Sequence, residues 1–529
     1  MKIKIKIFRN MYQDSVSLMQ ISAQIGELAG VAQASVAMGT PANLEQLRDA
    51  GLDDGVDAGP NDLVVAVRGE AAACDEALSV ANERLTSRPA DTAGNGERPL
   101  VATSIEMATD VEPAVNLALI SVPGDYAAAE ALKALALGMN VMLFSDNVSL
   151  AQEKTIKTLA RQKQRLVMGP DCGTAIINGM PLGFANVIRR GPIGVVAASG
   201  TGLQEVTCRI DQLGSGVSQA LGTGGHDLHE EIGGISMLFG LDALIDDQET
   251  RVIVLISKPP ARPVAERILA RAQSAAKPVV VHFLGAQAQD LALPGITPAA
   301  TLADAAAIAV ALAGDAGLPP ASVWLSAADS KSLGEAARAL PARRRFIRGV
   351  FAGGTFCYES QLLCREQGFA GASNTPVHGN TRLVDIWRSE AHTLVDLGDD
   401  DFTRGRPHPM IDPTLRNERI LAECRDPQTA VVLFDVVLGY GAAAEPAQEL
   451  VAFLNEARSE ARRDASGKAS DANAADFPLL VSHVCGTESD PQCRSHQIGI
   501  LKEAGVLVAG CNAQAALWSS HIAQLQLQK

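Results

Sequence analysis

Residues 191–206, GPIGVVAASGTGLQEV, restrict the fold more than any other stretch of the chain. An apolar run of small and β-branched residues passes through Ala-Ser-Gly into a helical pattern, so the spacing predicts strand, tight turn and helix. Residues 193–198 are expected to be a strand buried on both faces of a parallel sheet. Ser199 is a suitable N-cap, which leaves the amides of Gly200, Thr201 and Gly202 without intrahelical partners. Those amides and the positive end of the helix dipole favour a phosphate or carboxylate, and glycine permits its close approach. An ordinary βα turn of a glycine-rich α/β protein has the same residues, and the stretch itself does not choose between the two.

The alternation recurs along the chain. The opening MKIKIKIFRN alternates Lys and Ile with the two-residue period of a strand. Asp14 and Ser15 are placed to cap a helix over 16–28. A strand over 31–38, a helix over 41–50, a strand over 63–67 and a helix over 71–85 complete a small α+β module. Pro, Gly and charge without periodicity mark 87–99 as a linker, which sets the first domain at 1–99. In a second domain, 100–190, strands over 117–122 and 140–144 alternate with helices over 127–137 and 150–162. Such alternation implies right-handed βαβ crossovers and a parallel sheet. A third domain, 191–320, adds strands over 218–221, 252–256 and 279–283. A fourth, 321–529, adds strands over 347–351, 393–396, 430–437, 479–483 and 506–509. Within it, 456–476 is polar and alanine-rich without an apolar face, the composition of an exposed, partly disordered insertion. The fold class is therefore α/β, with tandem doubly wound parallel sheets behind a small α+β module.

A formal net charge of −15 argues against nucleic acid or an anionic membrane as a partner, so any anionic ligand has to be held locally. The nine cysteines are scattered without a C-x-x-C pair or zinc spacing, as expected of reduced thiols in the cytoplasm. No stretch has the length and apolarity of a membrane span, and the N-terminus lacks the apolar core of a signal peptide.

Several strand ends carry further candidate chemistry. Leu438, Gly439, Tyr440 and Gly441 follow a buried strand and precede a helix near 445–455, so a second helix N-terminus is expected to face the one at Ser199. Together the two would hold a dianion without net positive charge. In RGRPHPMIDP, Asp412 and Pro413 suit N-cap and N1 of a helix reaching Cys424. Ahead of them Arg404 and Arg406 offer bidentate contacts to a carboxylate, and His408 exchanges protons near neutral pH. Gly224 and Gly225 lie just past a strand end, where ligands of open α/β sheets bind. Gly353, Gly354 and Thr355 repeat the small-residue turn, and Thr487 follows another strand. His226 and His229 lack a third ligand at readable spacing, so no metal is expected. No phosphate-loop or dinucleotide motif is present, and no cofactor is expected.

The strings DSVSLM (14–19), MGTPAN (38–43), FSDNV (144–148), MGPDCGT (168–174), RPHPMIDPTLRN (406–417) and DPQCRS (490–495) resemble those of FdrA-type proteins over almost the whole chain. That family looks like a fusion of succinyl-CoA synthetase α-like and β-C-terminal-like regions. The resemblance implies a Rossmann-like CoA-binding-type domain without its usual first glycine turn at 100–190. It also implies two succinyl-CoA ligase-like, flavodoxin-type domains at 191–320 and 321–529. Ser199-Gly200-Thr201 and Glu205 match the Ser-Gly-Thr…Glu of the α subunit's phosphate helix, and Gly224 and Gly225 match its Gly-Gly. Leu438-Gly439-Tyr440 matches the Gly-Gly-Ile of the β subunit's opposing helix. The loop that carries the phosphohistidine in those enzymes has no histidine here, and the ATP-grasp region is missing.

The resemblance therefore implies a carbamoyltransferase subunit of purine and allantoin nitrogen catabolism, converting oxalurate and phosphate to oxamate and carbamoyl phosphate with two other protein subunits. Phosphate and a small carboxylate would be its ligands, with Arg406 on the carboxylate and His408 moving a proton. The competing readings are an ADP-forming acyl-CoA synthetase and a non-catalytic scaffold that keeps a vestigial anion site.

Overall fold

The computed structural model describes residues 1–52, 55–86, 102–320, 322, 324–403, 406–464 and 477–529. The chain divides into two compact units, Met1–Asp171 with Phe402–Asp412, and Cys172–Asp401 with Pro413–Lys529. The expected linker at 87–99 lies outside the described residues.

The first unit opens with strands Lys2–Phe8, Val31–Met38 and Leu63–Gly69, the last lying between the other two and antiparallel to both. The central strand LVVAVRG is apolar on both faces because both are covered. Val65 and Val67 pack with Leu18, Ile25 and Ala77 of helices Ser15–Gly26 and Ala71–Thr86. Val64 and Ala66 pack with Leu47 of helix Pro41–Asp49, and with Ile5 and Ile7 of the Lys-Ile alternation. Asp14 caps the first helix by accepting from Ser17 N, as its position in the sequence foretold. A separate parallel sheet, Leu117–Ile120, Asn140–Leu143 and Val167–Met168 in sequential order, packs against helices Gly124–Ala136 and Leu150–Lys163. The short helix Ile105–Val111, capped by Ser104, is an addition to the expected elements.

The second unit holds two seven-stranded sheets. In the first, strands Ile296–Pro298, Val279–Phe283, Val252–Ser257, Arg190–Ala198 and Val217–Gly222 are parallel in that order. The hairpin Thr174–Ile177/Met180–Gly183 continues the sheet past Val217–Gly222, with Ala220 paired antiparallel to Ile176. This corrects the boundary expected at 190/191. The hairpin covers what would otherwise be an unpaired edge, a tertiary demand that local pattern does not record. In the second sheet, Thr381–Arg382, Ala372–Ser373, Thr393–Asp396, Phe346–Phe351, Thr429–Val437, Leu479–Cys485 and Leu507–Ala509 are all parallel.

Two further expectations change. Helix Pro446–Asp464 runs through the start of the presumed insertion, so 456–464 are helical; 465–476 lie outside the described residues. Helix Thr414–Arg425 is entered through Pro413 rather than Asp412, one residue later than expected, with no side-chain cap. No helix among the described residues is long and apolar enough to cross a membrane.

Candidate functional site: two helix N-termini at one junction

Strand Arg190–Ala198 ends at Ser199, whose Oγ accepts from Gly202 N at 3.2 Å and opens helix Gly200–Gln212. Strand Phe346–Phe351 ends in the same way, and Gly353 opens helix Gly354–Glu366. The two helix starts meet. Ser199 Oγ and Thr355 Oγ1 are 2.6 Å apart in a buried hydroxyl pair, and Thr355 N donates to Thr201 Oγ1 at 3.4 Å. Gly200 is exposed, and a side chain there would meet nothing within 4 Å, so there is open space beside the start of this helix. Aligned peptide dipoles at two such ends favour an anion, although at the second the Gly353 and Thr355 amides already have acceptors in Asp435 Oδ2 and Thr201 Oγ1.

The junction has an internal symmetry written in the sequence. Ala198-Ser199-Gly200-Thr201 and Ala352-Gly353-Gly354-Thr355 occupy equivalent places, and each is followed four residues later by a glutamate, Glu205 and Glu359. Each glutamate serves the other sheet. Glu359 Oε1 accepts from Leu302 N at 2.9 Å, at the start of helix Leu302–Ala313. Glu205 accepts from the backbone of Asn512, at the start of helix Asn512–Leu527. Asn512 joins the two by donating from Nδ2 to Glu359 Oε2 at 2.8 Å. Burial raises both carboxyls, Glu359 to about 7.

Two aspartates stand at the Gly354 helix start. Asp435, near the end of strand Thr429–Val437, takes Ala352 N on Oδ1 at 2.8 Å and Gly353 N on Oδ2 at 2.7 Å, which fixes the turn. Asp396 ends its strand against Gly354, where an added Cβ would collide with Asp396 Oδ2. Burial pushes the Asp396 carboxyl up to about 7, against the pull of the Lys258 ammonium. Asp435 is also raised by burial. His483 lies edge-on to Phe356 with ring centroids 4.6 Å apart and 3.9 Å from Glu205. Burial drops its pKa to about 3, so it is neutral and that contact is not an ion pair.

A pH-dependent stability follows from Asp396. Its folded pKa lies above the unfolded value, so the folded state holds the proton more tightly, and the penalty for ionising it grows from about pH 4 to about pH 7 and then stays constant. The stability gained over the parent by Asp396→Asn is expected to be about 2–3 kcal/mol larger at pH 8 than at pH 5. Urea melts at the two pH values check this, and an equal offset at both would refute it.

The junction includes Ser199, Gly200 and Thr201 of the expected site. Its second half is Gly353, Gly354 and Thr355, which the sequence marks only as a weak repeat. The expected partner at Leu438 to Gly441 does not open a helix. Leu438 N donates to Cys485 O, Gly439 N to Gln492 Oε1 and Tyr440 N to Ala185 O, and the helix begins later, at Pro446. Gly439 and Gly441 have positive φ, +123° and +78°, so these glycines serve the turn itself. Thr487 is a clasp, its Oγ1 donating to Val187 O and its N to Asp490 Oδ2. Gly224 and Gly225 do follow strand Val217–Gly222, and the nearby Asp227 caps helix Ile235–Asp246 through Ser236 N and Met237 N. Arg406 and His408 belong to the other unit, and Arg404 lies outside the described residues. His408 is partly exposed, yet packing around the ring lowers its pKa to about 4 and its Nδ1 accepts from Met410 N, which removes it as a ready acid at neutral pH. His282 is buried in its strand with Nδ1 3.0 Å from Ala299 O.

Asp396, Asp435, Lys258 and Asn512 escaped the sequence reading. An acid inside an apolar strand, as in LFDVV, was the available signal for Asp435.

Comparison with known proteins places the chain. It is 42% identical to YahF of Escherichia coli K12, an uncharacterized protein, over 98% of both chains. The chain belongs to the YahF family. Within it, residues 350–522 match a CoA-ligase domain model, and residues 1–100 match the model "AllF, heavy metal-associated domain". The ADP-forming succinate–CoA ligase α subunit of Methanothermobacter thermautotrophicus is 29% identical over 36% of this chain and 63% of its own length. The dinucleotide-forming acetyl-coenzyme A synthetase 1 of Ca. Korarchaeum cryptofilum overlaps 80% of this chain and 85% of its own at 13% identity and a TM-score of 0.33, too loose to argue from. The name of the N-terminal domain raises the question of a metal there. Residues 1–100 contain no histidine and one cysteine, Cys74, which is fully buried with its thiol against Lys2 O and Val67 O. These residues do not fit a soft metal ion, and no group of three metal-binding side chains occurs among the described residues.

Proposed function

We propose that the Ser199/Thr355 junction binds phosphate and that this protein is the phosphate-handling subunit of a carbamoyltransferase. With two other subunits it would convert oxalurate and phosphate to oxamate and carbamoyl phosphate, in purine and allantoin nitrogen breakdown. The reading joins the FdrA-type resemblance, the AllF-type N-terminal domain and the CoA-ligase-like framework. The observation that carries it is the 2.6 Å Ser199–Thr355 contact, which brings two helix starts to one point. Bound there, phosphate would be held by amides rather than by counter-ions, oriented for attack on the carbamoyl carbon, with the developing charge met by preorganised dipoles.

Gly200→Val separates ligand from fold. Space at Gly200 accommodates the side chain, yet its methyl groups would cover the amides. The variant is expected to melt with the parent and to bind inorganic phosphate about 30-fold or more weakly by calorimetry. Unchanged phosphate affinity in a folded variant would remove the site. Phosphorolysis of oxalurate by the chain purified with its partners, with and without this subunit, tests the reaction. The CoA-ligase match favours a second reading, acyl-CoA ligation; tight CoA and nucleotide binding would support it. Against it stand the buried His282 and the histidine-free loop that follows.

A further inference from the structure

We infer that Asp396 is the proton carrier of the junction, taking a proton from the bound phosphate and delivering one to the nitrogen that leaves the carbamoyl carbon. The inference rests on the phosphate-site reading above and supplies it with a reacting side chain.

The carboxyl is both held and available. Asp396 N donates to Asn374 Oδ1 and Asn374 Nδ2 donates back to Asp396 O, each at 2.9 Å, so the strand end is fixed on both sides. Oδ1 accepts from Gly398 N at 3.0 Å. Oδ2 has no hydrogen bond among the described residues and lies against Gly354, the first residue of the second helix. The residue is 5% exposed, so this oxygen is a nearly buried acceptor beside the first residue of that helix. Asp435 cannot share the task, because the Ala352 and Gly353 amides take both its oxygens. Neither can the histidines: His483 is buried edge-on to Phe356, His282 is buried in its strand, and Met410 N takes the Nδ1 of His408.

The charged and titratable groups facing Asp396 come from every surrounding element. They are Lys258 after strand Val252–Ser257, Asp399 in the following turn, Asp435 on the neighbouring strand and Cys357 on the helix. Asp399 and Asp435 disfavour a carboxylate charge, Lys258 favours it, and the Cys357 thiol, pushed well up by burial, is neutral. A proton held near neutrality can therefore be given and recovered within one turnover, which is what a general acid–base needs at physiological pH.

The step balances without another reactant. A phosphate oxygen bonds to the carbamoyl carbon while the carbon–nitrogen bond breaks. The leaving nitrogen takes the proton of Asp396, and the carboxylate regains one from the attacking hydrogen phosphate. A donor monoanion and a hydrogen phosphate dianion thus give an amide monoanion and a carbamoyl phosphate dianion.

The first test uses the full chain alone and inorganic phosphate, titrated calorimetrically near pH 7 in buffers of different ionisation enthalpy. Phosphate beside Asp396 raises its proton affinity, so the parent should take up roughly half a proton more per phosphate than Asp396→Asn. In the complex with partner subunits, Asp396→Asn should lower kcat about 100-fold or more without raising the KM for phosphate, and flatten the limb of the pH profile near 7, with partial rescue by Asp396→Glu. Equal proton uptake in parent and variant, or a kcat within about threefold, overturns the role of Asp396 and leaves the phosphate site standing. Failure of the parent to bind phosphate overturns the site, and the proton carrier with it. Proton-linked binding without turnover of oxalurate overturns the carbamoyl reading and the transfer role, and keeps the linkage of Asp396 to the anion.

Discussion

Asp435→Ala is expected to cost about 2–4 kcal/mol and to abolish phosphate binding together with folding cooperativity in the second unit. The carboxylate is wholly buried and satisfies two buried amides, Ala352 N and Gly353 N, at the one turn that aims the Gly354 helix at Ser199. Alanine leaves both donors without an acceptor and opens a cavity in a wholly buried place beside Gly353. The gain from removing an acid that burial makes reluctant to ionise offsets part of the loss. Asp435→Asn separates the contributions. One oxygen still accepts, but the amide group faces the other N–H, so about half the cost should remain. Urea unfolding of the three proteins checks the order, and a stable alanine variant would show that the turn holds itself.

Gly216→Val is expected to cost about 3 kcal/mol or more, with most of the protein lost to aggregation on expression. A Cβ at Gly216 would stand 2.5 Å from the carbonyl oxygens of both Arg189 and Arg190. Those are backbone atoms at the root of the strand that carries Ser199, and they have no rotamer by which to move away. Gly191 is the reciprocal case, its Cβ meeting Gly216 Cα at 2.5 Å, so the two glycines touch back to back. The predicted tolerance of Gly200→Val in the same strand–helix unit is the control. Same substitution, opposite outcome: one glycine is needed by the fold, the other leaves room for a ligand. Thermal melts of the soluble fractions would decide it, and equal stability of Gly216→Val and parent would refute the close approach.

Much of the architecture is legible because its causes are local. The strand at Val31–Met38 and the helix start at Pro41 follow from alternation, a Thr40 cap and proline at the first helical position. The parallel sheets follow from strands spaced by helices of ordinary length. The hairpin at Thr174–Ile177 escaped because it is defined by the edge it covers, and the helix through 456–464 because its polar composition hides a helical backbone continued from an amphipathic first half.

For the site, the sequence by itself determined one half. Ser199, Gly200 and Thr201 form a capped helix start for reasons contained in a few residues: a capping hydroxyl, small side chains and a buried strand behind them. Only the tertiary structure decided which second helix meets it. Leu438 to Gly441 and Gly353 to Thr355 have the same local chemistry, strand into glycine turn. In the first, Cys485, Gln492 and Ala185 take the amides and the helix starts only at Pro446; in the second, Asp435 takes the Ala352 and Gly353 amides and the helix starts at once, at Gly354 beside Ser199. Amide satisfaction depends on residues far apart in the chain, which is why the repeat A-[SG]-G-T-x-x-x-E was visible in the sequence while its meaning was not.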